Sequence, residues 1–229
     1  MKKKLVVLTG AGISAESGLM TFRDAGGLWE NHRIKDVATP EGWQRNPAFV
    51  QKFYNDRRAK ACEAIPNAGH QALADLEKYF DVQIITQNVD NLHEKAGSTN
   101  VLHLHGELTK VRSVKNEHLI YDIGAKAIEM GDLAEDGGQF RPHIVWFGEM
   151  VPMIEIATDL CSNADIFVVV GTSMQVYPAA NLINYASSNI PKYFVDPKPS
   201  IRESQFKNLT IIADKASVGV PQIVKQLFG

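Results

Sequence analysis

The sequence predicts an α/β fold: a doubly wound parallel sheet carrying a small lobe formed by two insertions. Seven short apolar runs bounded by turn residues read as strands, at residues 5–8, 82–86, 101–104, 144–147, 166–170, 193–195 and 209–212. Most are too apolar to have a wet face, which suits a parallel sheet covered on both sides. Helical patterns fall between them at 67–78, 152–162, 178–188 and 220–228, and this alternation is what winding helices over both faces of one sheet requires.

The first run sits in MKKKLVVLTGAGISAES, which imitates a secretion signal. Its unbroken apolar stretch spans only residues 5–8, too short for the core of a signal peptide. It reads as the opening buried strand of a cytoplasmic protein. Gly10-Ala11-Gly12-Ile13-Ser14-Ala15 follows directly. This is the G-x-G-x-x-G/A pattern of Rossmann-like dinucleotide sites, in which glycines let the backbone approach a pyrophosphate and a helix N-terminus faces it. A hydride-transfer enzyme would show a second strand soon after, ending in an acid for the adenosine ribose. Here the second strand waits until residue 82 and ends in Thr86-Gln87, behind a loop reading TFRDAGGLWENH. The expectation is NAD binding without ordinary hydride transfer.

Residues 33–66 run helix-like and include FYNDRRAK, which puts Tyr54 three places before Arg57. Residues so spaced share a helix face. Charge runs on helices are usually solvated, yet a phenol and a guanidinium on one face can also clamp a carboxylate. The eight residues leave both readings open. Asn67, after Pro66, is a helix N-cap for the pattern at 67–78. Residues 107–142 are polar, glycine-bearing and irregular. The expected organisation is one catalytic domain over 1–229, with a large lobe from about 1–32, 67–106 and 143–229 and a small lobe from about 33–66 and 107–142.

At 229 residues, with 45% hydrophobic and 22% charged residues, the composition is that of an ordinary globular domain. A net charge of −2 gives no electrostatic reason to expect nucleic acid or a membrane as partner. The two cysteines, Cys62 and Cys161, make neither a disulfide framework nor a zinc quartet.

Three further segments follow predicted strands: TQNVDNLHEKAG at 86–97, HLHGEL at 103–108 and VVGTSMQVYPAA at 169–180. Together with GAGIS and TFR, and in collinear order through nearly the whole chain, they resemble the sirtuins, the NAD-dependent protein deacylases. The resemblance implies that NAD is a co-substrate, that its nicotinamide is released, and that the acyl group of a protein lysine ends on ADP-ribose. It implies His105 as general base, for which imidazole is suited because it titrates near operating pH, and Asn88 as the residue ordering the ribose and a water. Asp90 would hold the nicotinamide carboxamide with the backbone near Ile13, and Gln87 would lie against the ribose. Gly10, Ala11, Gly12, Ser14, Phe22, Arg23, Gly171, Thr172 and Ser173 would contact the cofactor's phosphates and riboses, with Asp196 and Ala216 at its adenine end. His103 should face away from His105 if its strand continues. Residues 145–149, VWFGE, match the family's peptide-binding edge, so Val145, Phe147, Gly148 and Glu149 are expected on the substrate, which adds as an extended strand.

Most sirtuins hold a structural zinc with two cysteine pairs in the segment that here runs from 113 to 141, and this segment has no cysteine. No zinc is expected. His118, Glu117, Asp132 and Asp136 do not form the closed Cys and His set a structural zinc prefers. Leu119, Ile120, Tyr121, Ile123, Ile128 and Met130 are expected to hold the insertion as an apolar cluster. In the sirtuin class that favours acidic acyl groups, a Tyr-x-x-Arg pair binds the acyl carboxylate, and Tyr54 and Arg57 match it. Ala25, small where a bulky residue would crowd a longer acyl chain, agrees. Arg58 is expected at the surface. The resemblance thus implies a monomeric desuccinylase and demalonylase acting on acylated-lysine proteins or peptides, more weakly a deacetylase. Mono-ADP-ribosyl transfer and a non-catalytic NAD or acyl-peptide binding module are the alternatives.

Overall fold

Strand β1 (Lys4–Thr9) is buried from Leu5 onward, as its unbroken apolar run requires. The computed structural model describes residues 2–20, 28–29 and 32–228. Phe22, Arg23 and Ala25 therefore lie outside the described residues. After β1 come two single 3-10 turns, Ala11–Ile13 and Ala15–Ser17, where the glycine pattern predicts an α-helix. Small polar residues favour turns over helix, and Gly18, at φ 87°, ends the second turn in the left-handed conformation.

Next, β2 (Leu28–Trp29) pairs antiparallel with β3 (His32–Arg33). Three helices follow: α1 (Ile34–Val37), α2 (Pro40–Arg45) and α3 (Pro47–Glu63). Both α2 and α3 open on a capping side chain with proline in the first turn. Thr39 Oγ1 accepts from the Gly42 amide at 3.0 Å, and Asn46 Oδ1 accepts from Phe49 at 3.1 Å. Helix α4 (Ala68–Leu76) opens on Asn67, which caps it with a 2.9 Å bond from the Gly69 amide. The same side chain donates to the Ile13 carbonyl at 2.7 Å, tying the helix to the turns after β1.

The remaining elements are β4 (Asp81–Thr86), α5 (Leu92–Lys95), β5 (Val101–His103), β6 (Gly106–Ser113), β7 (Ile120–Asp122), β8 (Phe140–Ile144), α6 (Ile154–Ser162), β9 (Ile166–Val170), β10 (Lys192–Val195), β11 (Leu209–Ile212) and α7 (Ala216–Phe228). Six strands form one parallel sheet in the order β11-β10-β9-β1-β4-β5. The chain builds outward from β1 to β5, then crosses back to β9 on the other side, so β1 and β9 flank the switch point where such sheets bind ligands. One apolar cluster packs Leu73, Leu76, Val220 and Ile223 against one face of the sheet; a second packs Ala157, Cys161 and Leu182 against the other.

Strands β7, β6 and β8 form a separate antiparallel sheet within the insertion that the sequence leaves irregular. The strand predicted at 144–147 instead ends at Ile144, and the chain turns, the Glu149 amide donating to the Trp146 carbonyl at 3.0 Å. The helix predicted at 178–188 is a 3-10 segment, Ala179–Asn184. The expected apolar cluster of the insertion does not form as a whole: Ile120 is 44% and Met130 45% exposed, while Ile128 is buried. Polar turns hold this sheet together instead. Ser113 Oγ donates to Asp136 at 2.8 Å, the Gly138 amide donates to the same carboxylate at 2.8 Å, and Gln139 Nε2 donates to the Glu129 and Asp132 carbonyls.

Arg58 corrects the surface expectation. It is fully buried and donates to the Leu108 carbonyl, to Asn55 Oδ1 at 2.7 Å and to the Lys126 carbonyl at 3.4 Å. Helix α3 packs against β6 and β8 as well as α1 and α2, so the position that would be wet on a one-sided helix faces protein here. Burial draws its pKa down to about 10, which still leaves it a cation bonded to carbonyl oxygens at neutral pH.

Candidate active site

Gly10 and Gly171 stand immediately beyond the carboxyl ends of β1 and β9, and the two loops touch through backbone. The Gly12 amide donates to the Gly171 carbonyl at 2.8 Å, and a Cβ on Gly12 would lie 2.6 Å from the Gly171 Cα. Gly171, at φ 63°, needs a glycine's freedom as well. The contact makes the floor of a cleft of about 880 Å³, towards the upper end of the roughly 300–1,000 Å³ usual for ligand sites.

The loop after β4 supplies the cleft's polar wall. Asn88 Nδ2 donates to Ser14 Oγ at 3.0 Å, Ser14 Oγ donates to Asp90 Oδ2 at 3.1 Å, and the Leu92 amide donates to Asp90 Oδ1 at 3.1 Å. All three side chains are buried. Burial raises the Asp90 pKa, against the two bonds it accepts. Gln87 Nε2 donates to Thr172 Oγ1 at 3.2 Å, joining this wall to the loop after β9.

Two residues beyond β5, His105 reaches the same cleft. Its Nδ1 lies 3.0 Å from the Gln87 carbonyl oxygen. A carbonyl can only accept, so Nδ1 carries the proton and Nε2 keeps its lone pair. Burial lowers the His105 pKa, with the Gln87 carbonyl partly opposing it. The ring is thus a neutral base at pH 7. His103 differs: its ring nitrogens face the Asn88 carbonyl at 3.2 Å and Glu94 Oε1 at 2.7 Å. Burial disfavours its charge, but the Glu94 carboxylate outweighs this and the pKa is raised.

These features fit a dinucleotide: a bare glycine floor at the switch point and a buried amide–hydroxyl–carboxylate chain beside a neutral imidazole. The sequence profile of the Sir2 family matches residues 10–178. The chain belongs to the Sir2 family. It is 54% identical to an NAD-dependent protein deacylase of Bacteroides thetaiotaomicron over 98% of this chain and 97% of the relative. It is 56% identical to an NAD-dependent protein deacylase of Helicobacter pylori over 86% and 83%. A crystal structure described as a Sir2 homologue–NAD complex superposes with a TM-score of 0.88 at 37% identity, covering 99% of this chain and 90% of that one. One described as Sir2 bound to acetylated peptide gives 0.81 at 27%, covering 99% and 94%.

In this Sir2 chain, most residues singled out from the sequence line the one cleft: Gly10, Ala11, Gly12, Ser14, Gln87, Asn88, Asp90, His105, Gly171, Thr172, Ser173 and Asp196, with Tyr54, Arg57, Val145, Phe147, Gly148 and Glu149. Ile13 and Ala216 do not; their side chains belong to the core beside the sheet, and Lys215 lines the cleft in place of Ala216. The Glu149 carboxylate is taken up by the protein itself. It meets Arg141 at 2.7 Å and Arg112 at 3.4 Å and accepts the Trp146 amide at 2.8 Å. The edge at 145–149 is likewise fixed from behind, Val145 N–H donating to the His105 carbonyl at 2.9 Å and Phe147 N–H to Ala38 at 3.0 Å.

Tyr54 and Arg57 share the inner face of α3. Tyr54 is fully buried, and burial pushes its phenol well above the ordinary range, so it stays protonated. The Arg57 guanidinium lies over the Trp29 ring, 4.2 Å from its centroid. Tyr54 Oη accepts a 3.0 Å bond from Trp146 Nε1. Neither tryptophan is singled out by the sequence, because an apolar residue near a motif looks the same whether it fills a core or walls a site.

Proposed function

We propose that this Sir2-family chain is an NAD-dependent protein-lysine deacylase that prefers acyl groups ending in a carboxylate, succinyl and malonyl ahead of acetyl. One observation carries the acyl preference: a buried, protonated phenol and a guanidinium, three residues apart on α3, line the same cleft as His105. Both offer hydrogen bonds to an anion, and a carboxylate accepts from such a pair with charge assistance. The names and contents of the relatives support the reaction class: deacylases by name, a homologue with NAD, and one with acetylated peptide.

NAD, as co-substrate, supplies the ribose that parts from nicotinamide and takes up the acyl group. This chain's residues hold and orient around it. Gly10, Gly12, Gly171, Thr172, Ser173 and Asp196 form the bed for the nucleotide, and Asp90, kept in place by Ser14 and the Leu92 amide, receives the carboxamide. Asn88, held by Ser14, orients the ribose, with Gln87 beside it. His105 Nε2 accepts the proton of a ribose hydroxyl; the Gln87 carbonyl fixes the tautomer that makes this nitrogen the base. Val145, Phe147 and Gly148 carry the acyl-lysine and its flanking peptide. The small sheet, held by its polar turns, works without zinc.

The test is one incubation of the protein with NAD and a succinylated peptide, followed by mass spectrometry. Loss of the succinyl mass with formation of O-succinyl-ADP-ribose is expected. Gain of ADP-ribose on the peptide would make the chain a transferase, and no change would make it a binding module.

A further inference from the structure

Tyr54 cannot choose its own hydrogen-bond direction. Its hydroxyl oxygen accepts from the indole Nε1 of Trp146 at 3.0 Å, and both side chains are buried in the wall of the cleft, Tyr54 at 0% and Trp146 at 2% exposure. A phenol hydrogen prefers the ring plane, where the oxygen offers two positions, and the indole N–H occupies one of them.

The indole is itself locked. Arg141 lies over its ring at 3.4 Å from the centroid, and the Trp43 ring centroid is 5.7 Å away. The Trp146 amide is bonded to Glu149, which Arg141 of β8 and Arg112 of β6 hold in turn. Trp146 thus connects the small antiparallel sheet to the acyl-facing helix.

We propose that Trp146 is a positioning residue for acyl selectivity: by occupying one in-plane position of the Tyr54 oxygen it directs the phenol hydrogen to the other, where it can donate. It rests on the acidic-acyl preference given above. An acyl end that only accepts, a carboxylate, then matches both Tyr54 and Arg57, whereas an acetyl methyl uses neither. The indole also polarises the phenol, since hydrogen bonds in a chain strengthen one another. A corollary concerns Tyr54→Phe, the obvious test of the clamp. It deletes the donor to the substrate and also strands the buried Trp146 N–H, so its effect mixes lost recognition with a disturbed peptide edge.

The experiment is a double-mutant cycle of Trp146→Phe and Tyr54→Phe, read as the ratio of kcat/KM for succinyl- over acetyl-peptide. Trp146→Phe is expected to lower that ratio by about 3- to 10-fold, from lost orientation and polarisation of one bond. In the Tyr54→Phe background it should change the ratio less than about twofold, because the group it acts through is gone. A general loss of structure would move both peptides together and leave the ratio fixed. Should Trp146→Phe not fold, β-(3-benzothienyl)alanine at position 146 keeps the bicyclic shape and replaces the N–H with sulfur, and the same ratio is read. If the wild type favours succinyl and removing the indole N–H leaves the ratio intact, or lowers it equally without Tyr54, the positioning role is overturned and the acyl preference stands. If the wild type shows no succinyl preference, the acyl reading falls and this inference with it.

Discussion

Replacing Arg57 by methionine separates the clamp from the helix that carries it. Methionine keeps an unbranched stem against the rings that now flank the guanidinium, Trp29 at 4.2 Å and Phe53 at 5.8 Å, so α3 loses a charge and little packing. The cation–π contact forfeited is worth about 0.5–2 kcal/mol. The recognition lost is larger for the right substrate. Two unit charges 4 Å apart interact by about 4 kcal/mol at an effective dielectric of 20. Desolvation of both groups reduces this to the roughly 1.5–3 kcal/mol typical of a hydrogen bond to a charged group. That range converts to a fall of about 10- to 150-fold in kcat/KM for a succinyl-peptide. An acetyl group presents no anion, so deacetylation should be unchanged or improved. The assay is steady-state kinetics on two peptides that differ only in the acyl group, with a melting curve to show that the variant is folded. Equal loss on both peptides would mean that Arg57 supports α3 and does not meet the acyl group.

His105→Ala should cut deacylation by about 10²–10⁴-fold while NAD binding, measured by calorimetry, persists; retention of most turnover would remove His105 from the reaction. The pH profile follows from the burial of that ring. Its pKa lies below the ordinary 6.5, so the base form predominates at neutral pH and kcat/KM should fall only as pH drops through a midpoint under 6.5, and a midpoint at or above 7 would contradict the assignment. A strong chelator should leave both melting temperature and turnover unchanged, and stoichiometric zinc in the purified protein would show that residues 113–141 hold metal after all.

The parallel sheet was legible because its central strands, β1 and β9, are buried on both faces. Runs such as IFVVV at 166–170 carry no polar residue, and their shortness and β-branched content mark them as strands and not buried helix. The antiparallel sheet was not legible, because its strands are only partly buried: β6 is GELTKVRS, and β8, FRPHI, includes a proline. Their pairing depends on tertiary partners such as Gln51, which donates to the Phe140 carbonyl at 2.8 Å from another element. In the site, residues at strand ends declared themselves through motif and order. Arg58 did not, since α3 carries its wet stripe at Lys52, Asp56 and Lys60 while Arg58 lies on the buried side with Gln51 and Tyr54, and charge alone predicts the wrong face. Trp146 escaped for another reason: its bond to Tyr54 joins positions 92 residues apart, and no local pattern encodes such a pair.

The proposed preference is for an acyl group ending in a carboxylate. It is tested most directly by one competition. Succinyl- and acetyl-peptides of the same sequence, at equal concentration, share one pool of enzyme and NAD, and the ratio of initial rates gives the ratio of kcat/KM. A ratio of about 10 to 150 in favour of succinyl is expected from the charge-assisted bond. A ratio at or below one would overturn that preference and return Tyr54 and Arg57 to the structure of the helix.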